Sequence, residues 1–259
     1  MTLIMEPTGQ VKDGLSAAGG LAAGLVDFLF PPICASCGAP VGEPHALCPA
    51  CWRKLDFITE PLCPVLGLPF AVEMGPGALS AEALANPPPF DRARSALRYN
   101  EVAGRLISAL KYGDRTDLTR LCARLMLQAG AGLISGDAAL LPVPLHWRRQ
   151  LVRRFNQSQL LARAIAAETG LALIPNGARR IKATRHQVGL SAGERERNVA
   201  GAFRAHPGLA ETLAGRRVLV IEDVITTGAT IYALARALKR AGVERIDVLS
   251  FARVVRGPN

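Results

Sequence analysis

Val218-Leu-Val-Ile-Glu-Asp-Val-Ile-Thr-Thr-Gly-Ala-Thr230 is the stretch that decides the fold. Its four leading apolar residues, Val218 to Ile221, read as a strand buried on both faces, the pattern of a central strand in a parallel sheet. Glu222 and Asp223 follow at once. Then come the small residues Thr226, Thr227, Gly228 and Ala229, and a helix with Thr230 in its first turn. Loop amides and a helix N-terminus favour a phosphate dianion. Carboxylates repel phosphate, so Glu222 and Asp223 are expected to accept hydrogen bonds from neighbouring sugar hydroxyls. In the plainer alternative the acids cap the helix and the threonines satisfy turn amides. That alternative leaves two adjacent acids at the C-terminal edge of a strand, where ligands of open α/β sheets sit, without a task.

Working outward, strands alternate with helices. Strands are predicted at 93–99, 138–143, 171–174, 218–222 and 246–252, and helices at 102–111, 118–134, 157–169 and 230–241. This alternation specifies an α/β fold around a parallel sheet flanked by helices, from about residue 90 to 259. Residues 1–33 read as a tail and an amphipathic helix. A small cysteine-bearing ribbon is expected over 34–70, and a Pro/Gly-rich linker over 71–89. No internal repeat is evident.

Composition narrows the function classes. The chain has 259 residues, 49% of them hydrophobic. No apolar run reaches the roughly 18–20 residues of a membrane span, and Glu6 and Asp13 ahead of the first apolar stretch argue against a secretory signal. Of the formal net charge of +10, all falls between Arg148 and Arg217: 14 Lys/Arg stand against 4 Asp/Glu there, and the remaining chain carries 17 of each sign. Such clustering points to a polyanionic ligand, phosphorylated sugar or nucleic acid alike. Only thirteen aromatics are present, with no evident platform for stacking bases.

Cys34-x-x-Cys37 and Cys48-x-x-Cys51 form two knuckles, each able to place two thiolates on one tetrahedral Zn²⁺. Four thiolates leave no open position, so the zinc is structural; a redox pair is the rival use. Cys63 begins a third knuckle in which Leu66 stands at the second ligand position, and it reads with Cys122 as a small buried hydrophobe.

Two further segments carry candidate chemistry. The strand at 138–143 leads into a loop with Arg148, Arg149, Arg153, Arg154 and Asn156, a donor set suited to pyrophosphate or, more plainly, a solvated basic face. Residues 182–203 hold Lys182, Gln187, Arg195, Arg197 and Asn198, and read either as a lid or as a surface helix over 192–199. Lys111, ahead of a Gly cap, is ordinary helix C-terminal chemistry on its own.

The segment Val218–Thr230 resembles the motif by which type I phosphoribosyltransferases bind 5-phosphoribosyl 1-pyrophosphate (PRPP). Together with the CxxCG knuckle, ALKYGD (109–114), PVPLHWRR (142–149), RRFNQS (153–158) and the 182–203 pattern, the chain resembles the ComF family from about Phe30 to Arg253. Arg154 stands where that family has glycine, and Leu66 implies that a second metal site is lost. The resemblance implies a type I phosphoribosyltransferase-like fold with an N-terminal zinc ribbon, a cytoplasmic location and a link to DNA uptake. It implies the ribose hydroxyls of PRPP at Glu222 and Asp223, its 5-phosphate at Thr226–Thr230, and its pyrophosphate, bridged by Mg²⁺, at the 148–156 loop. Lys111 joins the site on this ground. Transfer to an unnamed acceptor is the implied activity; the other reading is a binding or adaptor module for single-stranded DNA or a DNA-uptake partner.

Overall fold

Seven strands and eight helices are present among residues 32–44, 46–112, 118–146, 155–182 and 192–255, which the computed structural model describes. The strands are β1 (Arg92–Arg98), β2 (Ala138–Pro142), β3 (Ala172–Leu173), β4 (Ala178–Arg180), β5 (Phe203–Ala205), β6 (Arg217–Ile225) and β7 (Ile246–Arg253). Five of them form an all-parallel sheet in the order β1-β7-β6-β2-β3, and β4 and β5 pair as a separate antiparallel hairpin. The helices are α1 (Pro49–Trp52), α2 (Ala81–Ala85), α3 (Glu101–Tyr112), α4 (Leu118–Ala129), α5 (Gln157–Thr169), α6 (Ala192–Val199), α7 (Leu209–Leu213) and α8 (Ala229–Arg240).

The central position of β6 explains its unbroken apolar run. Alternate residues point to opposite faces: Leu219 and Ile221 join the core under α3, α4 and α5, while Val218 and Val220 join the core under α8 and the hairpin. Each fully buried side chain of this kind contributes about 1.5–3 kcal/mol. The strand is longer than its apolar run suggested. Glu222 pairs in register with Ser250 and the ladder continues to Ile225, so both acids lie inside the strand. The helix expected over 118–134 ends at Ala129, where Gly130 leads into a 3₁₀ turn over Ala131–Leu133. Sequence reading missed the β4–β5 hairpin and α7, elements of three to five residues too short to show a period.

At the N-terminal edge of the sheet, Asp247 is fully buried and takes ion pairs from Arg92 at 2.8 Å and Arg217 at 2.9 Å; Arg217 also pairs with Asp137 at 2.9 Å. Part of the basic cluster is therefore structural.

β1 is an edge strand, and the cysteine region covers it. Phe57 bridges Leu97, and the Ile58 and Arg98 amides donate to Ala96 and Asp56 carbonyls at 3.0 and 2.7 Å. Further along, the Ala93 amide donates to Val65 O at 2.7 Å. Gly67 permits this approach: at φ +62° a Cβ there would lie 2.3 Å from Ala93 O. Covering the edge removes an open template for pairing with other chains.

The expectation of no internal repeat is corrected here. Residues 32–51 and 61–83 are two copies of one ribbon. In the first, Cys34 N donates to Ala39 O, Gly38 N to Cys34 O and Val41 N to Pro32 O; in the second, Cys63 N donates to Leu68 O, Gly67 N to Cys63 O and Phe70 N to Pro61 O. Each copy ends in a helical turn whose N-cap, Cys48 or Ser80, directs its amide onto the first sulfur, Cys34 at 3.3 Å or Cys63 at 3.4 Å. The backbone pattern repeats, while Leu66, Ser80 and Ala83 replace three of the four thiols. Residues 71–89, read from sequence as a linker, thus contain α2 with its buried Ala83. The triple variant Leu66→Cys/Ser80→Cys/Ala83→Cys is expected to bind a second zinc, raising metal content from one to two equivalents in elemental analysis. One equivalent in a folded triple variant would refute the correspondence.

Candidate functional site

The chain leaves β2 through α5 toward β3, and leaves β6 through α8 toward β7, on the other side. β2 and β6 are neighbours, so their C-terminal ends form the topological switch point where open α/β sheets bind ligands. The two helices pack on opposite faces, yet both N-termini border one cleft of about 320 Å³ lined by Lys111, Gln157, Ser158, Glu222, Asp223 and the loop into α8. Two positive dipole ends therefore flank the acidic pair.

Glu222 and Asp223 are each 8% exposed. Asp223 Oδ2 meets Lys111 Nζ at 2.5 Å, and its Oδ1 accepts from Val224 N at 2.8 Å. Burial alone would raise its pKa, but the Lys111 ammonium overrides that and holds it below the ordinary value. Glu222 Oε1 accepts from Ser158 Oγ at 2.9 Å and from Asp223 N at 3.0 Å. Burial first, and the neighbouring Asp223 charge second, push the Glu222 carboxyl up to about 8. At neutral pH the pair thus carries one negative charge, with Glu222 protonated and able to donate as well as accept.

This asymmetry has a sign that can be tested. The folded pKa of Glu222, about 8, exceeds its ordinary 4.5. Its contribution to stability is then fully present below about pH 4.5 and is lost as pH rises to about 8. Between pH 5 and 9, Glu222→Gln is expected to gain on the wild type by roughly 4 kcal/mol in denaturant unfolding. A difference independent of pH would refute the raised pKa.

The loop into α8 is set by Gly228, the helix N-cap, at φ +76°. A Cβ there would also sit 3.1 Å from the Tyr232 ring. Thr226, Gly228, Ala229 and Thr230 line the cleft; the Thr227 hydroxyl is buried without a hydrogen-bond partner among the described residues.

Of the other sequence candidates, Lys111 is brought directly to the acids. Arg148, Arg149, Arg153, Arg154 and Gln187 lie outside the described residues, as does the side chain of Arg195 within α6. Asn156 is engaged in the fold: its Oδ1 caps α5 by accepting from Ser158 N, and its Nδ2 donates to Val143 O at 2.9 Å. It therefore sets the entry angle of α5 and does not line the cleft with the acids. Residues 192–199 are the surface helix of the two readings. Lys182 donates to Ala200 O at 3.0 Å, and neither it nor Arg197 nor Asn198 lines the cleft. Sequence reading named no role for Gln157 and Ser158, although the RRFNQS motif contained them. Gln157 is 2% exposed and lines the cleft, and its Nε2 has no hydrogen-bond partner among the described residues. It also missed Arg180, a cleft-lining residue carried by the short β4.

The sulfurs of Cys34, Cys37, Cys48 and Cys51 lie within 4.8 Å of one another, with Cys37 and Cys48 3.7 Å apart. A tetrahedral zinc with bonds of about 2.3 Å requires sulfurs roughly 3.8 Å apart, so the donor set fits. Against the desolvation that raises it, backbone donors from Cys48, Cys37 and Ser36 lower the Cys34 thiol to about 6. Burial pushes Cys51 up to about 12. A cation is what allows all four to ionise. Among the described residues this is the sole cluster of metal-ligating side chains, and no helix there is long and apolar enough to cross a membrane.

Comparison with known proteins agrees with this geometry. The profile of the double zinc ribbon domain matches residues 25–83, and that of the phosphoribosyl transferase domain matches 163–257. The chain is 33% identical to the DNA utilization protein YhgH of Salmonella typhimurium over 232 residues, covering 87% of this chain and 98% of that one. It is also 33% identical to competence protein F of Haemophilus influenzae over 171 residues, covering 64% of this chain and 74% of that one. A shorter match, 53% over 36 residues, joins it to a hypoxanthine/guanine phosphoribosyltransferase of Methanosarcina mazei, covering 14% of this chain and 19% of that one. A ribbon pair capping a phosphoribosyltransferase-like sheet, with relatives matched over 98% and 74% of their length, places this chain in the ComF family.

Proposed function

We propose that the cleft binds PRPP with Mg²⁺, and that the protein transfers or senses phosphoribosyl groups in a process of DNA utilization. The observation that carries this reading is the convergence of two helix N-termini on one acidic pair. The α8 terminus receives the 5-phosphate, with the cleft-lining Thr226 and Thr230 beside it. Ionised Asp223 accepts from one ribose hydroxyl, and Glu222 exchanges a hydrogen bond with the other. The α5 terminus and the Gln157 amide would face the pyrophosphate; the arginines that the sequence offers for it lie outside the described residues. Mg²⁺ entering with PRPP would supply positive charge to neutralise the leaving pyrophosphate. Transfer would break the anomeric carbon–oxygen bond to pyrophosphate and form one to an incoming nucleophile. The protein's contribution is positional and electrostatic. Calorimetry with PRPP and Mg²⁺ tests the binding: saturable 1:1 heat is expected, with ribose 5-phosphate weaker and ribose silent. Silence with PRPP rejects the reading.

A second reading, nucleic-acid binding by the ribbon, is favoured by one observation. Trp52 and Phe57 are 45% and 37% exposed, with ring centroids 5.9 Å apart, beside exposed Arg53 and Lys54. Exposed rings next to cations suit stacked bases of a single strand. Oligo(dT) anisotropy tests it: affinity should fall steeply with salt and drop in Trp52→Ala, and a flat salt response rejects it.

A further inference from the structure

Beside the ribose-phosphate cleft lies a second one of about 490 Å³, within the range of small-molecule sites. The two share Leu145 and Arg180. The second cleft is walled by the β4–β5 hairpin, with Asn156, Gln159 and Asn176 opposite, and none of the described lining residues is acidic. Arg179 and Arg204 are cross-strand partners in that hairpin, both exposed and both lining the cleft. Like charges placed directly opposite destabilise an antiparallel pair. Neither makes an ion pair among the described residues. Arg180, at the boundary between the clefts, is 8% exposed and is held over the Phe203 ring at 5.3 Å. Three guanidiniums around a pocket rimmed by neutral amides make a receptor for an anion. Guanidinium forks match carboxylate and phosphate groups in particular.

We propose that this second cleft is the acceptor subsite, and that the acceptor is a small molecule bearing a carboxylate or phosphate held by Arg179 and Arg204. Arg180 stands between the acceptor and the phosphoribosyl group. The proposal rests on the PRPP reading for the word acceptor, while the anion selectivity of the cleft stands apart from it. The shared wall with the first cleft, and a volume suited to one small molecule, favour this occupant over a polynucleotide backbone.

Matched probes test it. Orotate against uracil, and nicotinate against nicotinamide, differ chiefly in one carboxylate. In protein saturated with PRPP and Mg²⁺, the carboxylates are expected to bind at least ten-fold more tightly than their neutral partners. Arg179→Gln and Arg204→Gln, exposed positions whose folding is checked by thermal melting, should each remove that preference while PRPP affinity stays within two-fold. Equal binding of charged and neutral probes overturns the proposal, as does failure of both to bind. Displacement of the probes by oligo(dT), with dT affinity falling in the same variants, would make the cleft a nucleic-acid backbone site and likewise overturn it. If PRPP itself does not bind but the carboxylate preference and its loss in the arginine variants persist, the PRPP reading fails and the anion site survives.

Discussion

Removing zinc, by chelation or by Cys51→Ser, is expected to unfold the first ribbon and to leave the second one formed. The first ribbon is built on sulfurs: Cys34, Cys48 and Cys51 are buried in the cluster that also holds Ala96 and Leu97. Structural zinc in small ribbons stabilises the folded form by about 10–16 kcal/mol, more than the whole stability of many domains. Without the ion, burial opposes ionisation at Cys51, whose pKa is driven up to about 12, and nothing else holds four thiols together. The second ribbon replaces that ion with apolar contact, because Leu66, Ala83 and Cys63 are buried against Phe90 and Ala93. Its attachment is also independent of metal: Arg253 Nη1 donates to Leu66 O, and the Tyr232 hydroxyl to Asn86 O at 3.4 Å. Amide hydrogen exchange checks this directly. The Ile58 and Arg98 amides, which fasten the segment following the first ribbon to the edge of β1, should lose protection on chelation, while the Cys63 and Gly67 amides keep theirs. Unchanged protection at Ile58 in metal-free protein would sink the assignment.

Asp223→Ala is expected to weaken PRPP binding about 100-fold, because a hydrogen bond to a buried charged group is worth roughly 1.5–3 kcal/mol. The loss is bounded by a compensation that the geometry dictates. Removing the Asp223 charge removes one of the causes that raise Glu222, and leaves the Lys111 ammonium without its partner. Glu222 then ionises in its place. Glu222→Gln/Asp223→Ala should therefore lose more than the product of the two single effects. Lys111→Met acts by another route: burial is no longer opposed, the Asp223 pKa rises, and PRPP affinity should fall as pH drops toward 5. Calorimetry of the three variants over pH 5–9 separates these outcomes. Wild-type affinity in Asp223→Ala would show that the acids do not hold the ribose.

Legibility followed the length of each signal. The run Val218–Ile221 was readable because a strand covered on both faces must be apolar throughout. Helix α5, Gln157–Thr169, was readable to the residue because an Asn cap opens it and Gly170 closes it at φ +70°. The acids were identified from their order in the chain, but their unequal charge was not. That inequality comes from Lys111, 112 residues away, which holds Asp223 down, and from the burial that pushes Glu222 up. Asn156 has a structural role that its place in the chain did not reveal. Its side chain caps α5 and bonds Val143. The ribbon repeat was hidden because only one of the four thiol positions is kept in the second copy, and backbone hydrogen bonds leave no mark on composition.

The sequence by itself determined the parallel α/β sheet and the zinc knuckles, and it singled out the Glu222–Thr230 segment as the candidate site. Each is local chemistry: periodicity, thiol spacing, and an acid pair followed by a glycine-capped loop. Only the tertiary structure decided which helix ends share the cleft, which acid carries the charge, and that Arg179, Arg180 and Arg204 gather beside it. It also showed the second ribbon covering the β1 edge. The reason is that long-range pairing, burial and the fields of distant charges are properties of neighbours in space, and neighbours in space are not written as neighbours in the chain.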